Sequence, residues 1–504
     1  MAKICICLTG KTLARDLEVL EMNRKYVDIA ELRVDCLDPD EWFHIRRFPE
    51  MAGVPVILTI RRSNDGGRFI GGEGARITHL AKGLAYAYAD RRRNFAYVDL
   101  EEDLHVPSLE EAARAFGTRI IRSWHNLEGV DDDLAGKLKK LRQVGDELVK
   151  AAVMPHSLDD VIKVYRAAKD TMDIDKILVC MGEYGVNTRI LAEKLGSRIS
   201  YALPKNGDLI PAAPGMIDPK DLVEIYRFHR INANTRVFAV SGYPLKVTRS
   251  PSFFNTVFGI EQADAVYVPV PADSVNSLIR FAEEAGISGV SITIPYKEEI
   301  LPYLAYKSKA VLSIGACNTI VASPQGWMGY NTDAVGFSGS LLTFMGRKDF
   351  RRRRITIVGA GGAARAVAAE VFRLKGKALI LNRTQLRARA LAEPYKFAWG
   401  GLDSRGADLM DRYSDIIVQT TSMGMSPDTE ADPIGFYKFS GRETVMDLIY
   451  KPEKTLCLRR AEAAGCRVLG GLDMLERQGR LQYAIYMGKE FPPSLVSRVG
   501  IGVL

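Results

Sequence analysis

The chain has no CxxC pair. Its seven cysteines, at 5, 7, 36, 180, 317, 457 and 466, are odd in number and scattered. That pattern argues against a disulfide framework or a zinc site and fits reduced thiols in a cytoplasmic protein. No metal is expected. Nor is a signal peptide expected, since Met1–Gly10 holds too short an apolar stretch for one and runs straight into a strand-like pattern. The one uncharged window long enough to span a bilayer, Ala310 to Thr332, is broken by Gly315, Asn318, Pro324, Gln325, Gly326 and Asn331. It is not expected to form a membrane helix. Internal repeats and low-complexity segments are absent. Charge of one sign is scarce: a net +8 over 504 residues suits small anionic substrates or cofactor phosphates and is too diffuse for nucleic acid. The dense patch Arg351-Arg-Arg-Arg354 precedes an apolar strand and reads as a solvated domain edge.

What is present is ordinary globular composition, 47% hydrophobic and 26% charged, in a length that accommodates roughly three domains of about 150 residues. Up to about residue 230, short apolar strands alternate with amphipathic segments. The strands read as Lys3–Leu8, Val27–Val34, Val54–Ile60, Phe95–Leu100, Thr118–Trp124, Glu147–Val153, Lys176–Met181 and Ile199–Leu203. Helical periodicity marks Thr12–Arg24, Arg76–Arg92, Asp132–Gln143, Leu158–Lys169 and Thr188–Leu195, and Asp218–His229 closes the series. This is the count and size of a (β/α)8 barrel, whose chemistry sits at the C-terminal strand ends.

Those ends carry Glu31, Arg33, Asp35, Arg61, Arg62, Glu101, His125 and Lys150. Lys150 lies within the apolar run Glu147-Leu-Val-Lys-Ala-Ala-Val-Met154. One reading is a lysine that snorkels to water. The other is an amine that loses its proton among apolar neighbours and attacks a ketone to form a Schiff base. A histidine and several arginines at the same rim tip the balance toward the nucleophile.

Ile231-Asn-Ala-Asn-Thr235 reads as a linker. A second α/β rhythm follows, with strands at Val237–Val240, Ala265–Val268 and Gly289–Ile294 and helices at Ser252–Phe258 and Ser274–Glu284. Further on, Arg354-Ile-Thr-Ile-Val358 leads into Gly359-Ala-Gly-Gly-Ala-Ala364 and a helix, Arg365–Leu374. Strand, glycine turn and helix N-terminus together make a dinucleotide site, with Gly359 for the turn and Gly361 for approach to a pyrophosphate. The G-x-G-G-A spacing is a variant fingerprint, and a turn that merely packs strand on helix is the alternative. The next strand, Lys377–Leu381, ends in Asn382-Arg383-Thr384 with Arg387 one turn on. There is no carboxylate for ribose hydroxyls, whereas guanidiniums and a hydroxyl suit a 2′-phosphate, so NADP(H) is the expected cofactor. Lys297, Asn318 and Asp333 beside a nicotinamide would make an alcohol/ketone site, although a surface Lys–Asp pair is common and minor.

These residues resemble two known families. Residues 1–230 resemble type I 3-dehydroquinate dehydratase through Glu31-Leu-Arg-Val-Asp35, Thr59-Ile-Arg61 ahead of Gly66-Gly67, Asp99-Leu-Glu101, Ser123-Trp-His125, Lys150-Ala-Ala-Val-Met-Pro155, Arg189 and Ala213-Pro-Gly215. Residues from about 235 resemble shikimate dehydrogenase through Arg249-Ser-Pro251, Thr293-Ile-Pro-Tyr-Lys297, Gly315-Ala-Cys-Asn-Thr319, Asn331-Thr-Asp333, Gly359-Ala-Gly-Gly-Ala363, Asn382-Arg-Thr384, and Gly471-Leu-Asp-Met-Leu475 with Gln478. The resemblance implies a (β/α)8 barrel at 1–230 and a linker at 231–235. It implies an α/β substrate domain at 236–335 plus 471–504, and a Rossmann-type NADP domain at 336–470.

It also implies a bifunctional enzyme that dehydrates 3-dehydroquinate through an imine on Lys150, with His125 as base and acid. Reduction of 3-dehydroshikimate to shikimate with NADPH would follow, with Lys297 and Asp333 as the acid/base pair. Glu31, Arg33, Arg61, Asp65, Arg189 and Met216 are the implied barrel contacts to substrate. Thr248, Ser250, Thr293, Asn318, Tyr450 and Gln478 are those of the second site. Gly359, Ala360, Gly361, Gly362, Ala363, Asn382, Arg383, Thr384, Arg387, Thr421 and Gly471 would hold the cofactor. The family usually has Glu where Asp65 stands, Ser where Ala212 stands and Gln where Met216 stands. Thr248 replaces the commoner Ser of a Ser-x-Ser pair. These departures keep two alternatives in view: a quinate preference in the second half, or a non-catalytic binding role for the first.

Overall fold

The computed structural model describes residues 1–85, 90–142, 144–205, 209–245 and 248–496. The far ends of the expected helices Arg76–Arg92 and Asp132–Gln143, and the last eight positions of the expected substrate domain, therefore lie in part outside the described residues. The chain divides into two compact units: Met1–Ala239 with Phe258–Ile287, and Val240–Val257 with Ser288–Leu504.

In the first unit, eight parallel strands follow one another around a sheet: β1 Lys3–Leu8, β2 Ile29–Arg33, β3 Val56–Thr59, β4 Tyr97–Glu101, β5 Arg119–Asn126, β6 Leu148–Val153, β7 Lys176–Cys180 and β8 Ile199–Ala202. The order β7-β6-β5-β4-β3-β2-β1-β8 and a single parallel bridge from Lys176 to Ser197 make a nearly closed barrel. Period-two alternation sorts its side chains. Ile6, Leu8, Leu32, Leu58, Val98 and Leu100 point outward into the layer under the helices. Cys5, Cys7, Ile57, Ile121, Leu148, Ala152, Val179 and Tyr201 point inward. Lys150 shares the inward parity of Leu148 and Ala152. It stands third in β6, deeper than the strand end expected for it.

The helices are placed by local signals. Leu158–Asp170 starts on Ser157, whose side chain accepts from Asp160 N, with Asp159 and Asp160 in its first turn. Two expected helices are shorter: Thr188–Leu195 is one turn, Val186–Ile190, and Asp218–His229 is Pro219–Glu224. The polar bridge Ile231–Thr235 is tied down. Thr235 Oγ1 donates to Asp264 at 2.6 Å, and Lys194 Nζ donates to the carbonyl of Ala233 at 2.7 Å.

A six-stranded mixed sheet contains β9 Arg236–Ser241, β10 Ala265–Pro269, β11 Ile287–Ile292, β12 Leu304–Lys307, β13 Thr319–Ser323 and β14 Gly326–Tyr330, in the order β10-β9-β11-β13-β14-β12. The last sheet is wholly parallel: β15 Arg354–Val358, β16 Lys377–Asn382, β17 Ala398–Gly401, β18 Ile416–Gln419, β19 Thr444–Asp447 and β20 Arg467–Leu469, ordered β17-β16-β15-β18-β19-β20. The direction of strand addition reverses between β15 and β18, the switch point where doubly wound sheets bind ligands. Alternate residues of β15, Ile355 and Ile357 against Val358, enter cores on opposite faces.

The glycine turn after β15 is sterically required. Gly359 has φ +114°, and a Cβ there would lie 2.5 Å from Thr420 Oγ1. Thr420 cannot swing away without losing its 2.7 Å bond to the Val358 carbonyl. Gly359→Ala is expected to cost about 1–3 kcal/mol. The melting transition of the second unit should fall by roughly 2–4 °C for each kcal/mol. Calorimetry on the variant checks this, and an unchanged transition would contradict the strain argument. Among the described residues, no helix is long and apolar enough to cross a membrane, and all seven cysteines are buried and unpaired.

Candidate active sites

Each unit holds one cavity lined by a lysine and a buried carboxylate. In the barrel the cavity measures about 290 Å3, and its lining includes Glu31, Arg33, Arg61, Asp65, His125, Lys150, Arg189 and Met216. All eight barrel residues expected from sequence are thus brought together.

Lys150 is 6% exposed, yet its surroundings are not the apolar ones expected. Nζ donates to Asp99 Oδ2 at 2.9 Å and lies 4.5 Å from the centroid of the Tyr201 ring. Asp99 reaches it because β4 presents an acid inward, one strand beyond β5. The same carboxylate accepts from Ser123 Oγ at 2.5 Å and pairs with Arg61 Nη2 at 2.7 Å. Burial alone would raise the Asp99 pKa, but Arg61 and then Lys150 outweigh it and hold the group well below the usual carboxylate range. Arg61 also grips Glu101 at 2.6 Å, and Glu101 in turn holds Arg76 at 2.5 Å. Glu31 accepts from Thr59 and Cys7 at 3.0 and 3.2 Å. Arg33 forks onto Asp35 at 2.9 and 2.8 Å. The interior is a lattice of alternating charges, which buried ions require.

Two groups stand outside that lattice. His125 Nδ1 lies 3.6 Å from Asp65 Oδ1, too far for a hydrogen bond, and has no hydrogen-bond partner among the described residues. Burial first, then the cations Arg61 and Lys150, hold its pKa at about 3. The imidazole is therefore neutral at neutral pH and able to take a proton. Burial opposes ionisation of Asp65, but the Arg62 guanidinium paired with its other oxygen outweighs it and brings its pKa to about 2. Arg189, 2% exposed, has no carboxylate partner among the described residues. It donates only to the carbonyls of Tyr201 and Pro214, at 3.3 and 3.5 Å. Burial pulls it down to about 10, so it remains charged. An uncompensated buried guanidinium beside a cavity is a place for an anionic group. Ala212 and Met216, in the loop after β8, pack on the inward apolar cluster.

The second cavity, about 390 Å3, is lined among others by Thr248, Ser250, Thr293, Lys297, Asn318, Asp333, Tyr450, Gln478, Ala363, Thr421 and Gly471. Lys297 Nζ donates to Asp333 Oδ2 at 2.6 Å. Asp333 is 5% exposed, so this is no surface pair. Asp333 opens helix Asp333–Met345, where the positive end of the helix dipole favours its charge. Asn318 Nδ2 donates to Asp333 Oδ1 at 2.8 Å and to Gln478 Oε1 at 3.3 Å. Thr248 Oγ1 accepts from Ser250 N at 3.2 Å.

Gly359, Ala360, Gly361, Gly362, Asn382, Arg383, Thr384 and Arg387 do not line this cavity. Gly362 nonetheless adjoins it, since a Cβ there would lie 2.8 Å from Lys297 Cβ. A Cβ on Gly361 would meet nothing within 4 Å, and the first amides of helix Gly362–Arg373 have no side-chain cap. Arg383, just past β16, and Arg387, in the helix Gln385–Ala392 that follows, are exposed, with no ion pair among the described residues. Bare amides at a helix start, with free guanidiniums one strand away, fit a dinucleotide carrying an extra phosphate. Among the described residues, no three His, Cys, Asp or Glu side chains gather as a metal site.

Three residues received no role from the sequence, Asp99 standing there only within the matched stretch Asp99-Leu-Glu101. Asp99 carried a signal, as an acid at an inward position of the apolar run Tyr97–Glu101. Gln482 did too, four residues after Gln478 on helix Leu472–Met487; it donates to the Asn318 carbonyl and Thr319 Oγ1 at 3.2 and 2.9 Å. Tyr201 carried none beyond its place at the end of β8.

Residues 4–233 match the family model for type I 3-dehydroquinase, and residues 240–320 match that for the shikimate dehydrogenase substrate binding domain. The chain is 29% identical over 514 residues to the chloroplastic bifunctional 3-dehydroquinate dehydratase/shikimate dehydrogenase of Arabidopsis thaliana, covering 97% of this chain and 83% of that protein. It is 33% identical over 268 residues to a shikimate dehydrogenase (NADP(+)) of Shouchella clausii, covering 53% of this chain and 98% of the relative. The crystal structure of shikimate 5-dehydrogenase from Thermus thermophilus with NADP(H) and shikimate aligns with a TM-score of 0.46 at 29% identity, over 53% of this chain and 100% of that one.

Proposed function

The chain belongs to the shikimate dehydrogenase family and carries a type I 3-dehydroquinase domain ahead of it, and from that premise we propose that it performs two consecutive reactions. The barrel dehydrates 3-dehydroquinate to 3-dehydroshikimate, and the second unit reduces that product to shikimate with NADPH. The observation that carries this reading is the pair of lysine–carboxylate sites, Lys150 with Asp99 and Lys297 with Asp333, each at its own cavity. Residues 1–230 are the dehydratase on this reading. Residues 236–335 with 471–504 would bind the second substrate, and 336–470 the nucleotide.

In the barrel, Lys150 must first be freed from Asp99. Its amine then adds to the C3 ketone and water leaves, giving an imine. The iminium withdraws electrons from C2, so neutral His125 can remove a C2 proton. The resulting enamine expels the C1 hydroxyl, which His125 protonates as water. Hydrolysis of the remaining imine returns Lys150. Arg189 is the proposed carboxylate anchor, with Arg61, Glu31 and Arg33 about the ring. In the second site a bound NADPH would supply the hydride for the ketone. Lys297 would protonate the developing alkoxide while Asp333 and Asn318 hold that lysine in place. Gly361, Gly362 and Ala363 would meet the pyrophosphate, and Arg383, Thr384 and Arg387 the 2′-phosphate. Seven unpaired buried thiols support a reducing, cytoplasm-like compartment.

Incubation with 3-dehydroquinate and NADPH, followed by chromatography, tests the reading: shikimate should accumulate with matching oxidation of NADPH. Neither product nor oxidation would contradict it. A further expected outcome concerns His125. Because its pKa is lowered to about 3, its imidazole signal should not titrate between pH 5 and 8 in NMR spectra of histidine-labelled protein, assigned by loss in His125→Asn. A midpoint near 6.5 would contradict the burial argument.

A further inference from the structure

A third cavity, of about 460 Å3, lies wholly within the first unit and has neither Lys150 nor Lys297 in its walls. It is formed by the segment after helix Pro219–Glu224, the linker 231–235, and the turn 259–263 that leads into β10. Two guanidiniums line it, those of Arg227 and Arg230, and neither has an ion pair among the described residues. Arg227 is half-buried, with its stem over Gly259, where a Cβ would lie 3.4 Å from Arg227 Cδ. Its Nη1 donates to the carbonyl of Ala263 at 3.3 Å. Nε and Nη2 have no partner among the described residues and are not occluded, so both can reach a ligand. The one acid in the lining, Asp264, is engaged: it accepts from Thr235 Oγ1 at 2.6 Å and from Asn232 Nδ2 at 3.3 Å. Burial first, then the Arg230 charge, lowers the pKa of Arg227, and Asp264 offsets this only in part. Two cations thus face one another across a space with a single carboxylate, and an anion between them would remove the repulsion.

The backbone makes these side chains informative. Arg227 has φ +53° and Gln262 has φ +51°, two of five non-glycine residues with positive φ among those described. Each stands just past a helix end, where a left-handed residue is ordinarily glycine because glycine adopts it at least cost. Here the chain carries long polar side chains instead, and both line the same cavity. The other three, Arg352, Lys375 and Lys396, line none of the three cavities. Costly backbone conformations persist where a ligand site demands the side chain.

We propose that this cavity binds a small polar molecule through an oxyanion, phosphate or carboxylate, held between Arg227 and Arg230 with the Gln262 amide beside it. Guanidinium forks match either oxyanion. The volume leaves room beyond a bare ion, and Asp264 suits hydroxyl donors on the remainder of the molecule. The site is separate from the two proposed reactions and does not depend on them.

NMR of full-length protein with isotope-labelled arginine tests this through the side-chain Nε–H signals. Inorganic phosphate and citrate are titrated separately at constant ionic strength. The signals of Arg227 and Arg230 are identified by their loss in Arg227→Gly and Arg230→Gln, so anions held elsewhere do not interfere. Both signals should move together and saturate with at least one probe, with a Kd near or below about 1 mM. The probe that saturates them identifies the oxyanion. In Arg230→Gln the Arg227 signal should need about 10- to 150-fold more of that probe, the fold-change for a lost charge-assisted hydrogen bond. Arg227→Gly relieves the left-handed backbone, so its melting temperature should not fall while the Arg230 response weakens likewise. Signals that drift without saturating, or an equal response in Arg230→Gln, overturn the inference, because they report only screening of surface charge. A lower melting temperature of Arg227→Gly with an unchanged Arg230 response also overturns it, since Arg227 would then serve only to hold the Ala263 carbonyl.

Discussion

Lys150→Met is expected to reduce dehydration of 3-dehydroquinate by on the order of 10⁴-fold or more, because without the amine no imine forms and the C2 proton stays unactivated. Reduction of 3-dehydroshikimate by the same protein should continue at the wild-type rate. The substitution is chosen for the structure around it. Methionine matches the length of the lysine stem and keeps contact with the Tyr201 ring. Removing one partner of a buried ion pair costs about 3–5 kcal/mol when the other charge is stranded. Here Asp99 retains Arg61 at 2.7 Å and Ser123 Oγ at 2.5 Å, so the variant should fold. Initial rates at both sites, with a melting curve on the same sample, check this. Dehydration above about one-hundredth of the wild-type rate would remove Lys150 from the mechanism.

The mirror experiment is Lys297→Met. Loss of a positioned general acid should lower reduction of 3-dehydroshikimate about 10²- to 10⁴-fold and leave dehydration untouched. Asp333 keeps its 2.8 Å bond from Asn318, and methionine preserves the Cβ and Cγ that pack against Gly362. NADPH affinity, measured by fluorescence titration, should therefore change little. Retained reduction, or a parallel collapse of nucleotide binding, would contradict the assigned role. An equal mixture of the two variants should again convert 3-dehydroquinate to shikimate, because each chain supplies the site the other lacks.

The fold was largely legible because both sheet types write themselves as short apolar runs. β1 and β15 begin and end where the apolar pattern does, Lys3–Leu8 and Arg354–Val358. Parity along Leu148–Val153 placed Lys150, but not what it faces. Asp99 meets it across an intervening strand, a juxtaposition set by barrel register, which no local pattern encodes. The expectation of an apolar setting failed for that reason. The gap between Asp65 and His125 was equally hidden. An Asp at position 65 is visible in sequence, whereas the 3.6 Å left over depends on Arg62, itself paired with Asp103, holding the aspartate's other oxygen. The nucleotide loop was readable because Gly359 answers a local demand at φ +114°. Its contact with Lys297 through Gly362 joins residues 65 positions apart and left no trace in the spacing. One-turn helices such as Val186–Ile190 were overcalled, since apolar periodicity persists into the irregular turns that follow.

The central claim is that a lysine inside the barrel bonds covalently to a ketone while a second lysine serves a different step. Borohydride reduction in the presence of 3-dehydroquinate, followed by proteolysis and mass mapping, addresses it most directly. The account predicts a stable adduct on the peptide bearing Lys150, absent from Lys150→Met, and none on the peptide bearing Lys297. A folded, active protein with no adduct on Lys150, or with the adduct on another lysine, would contradict it.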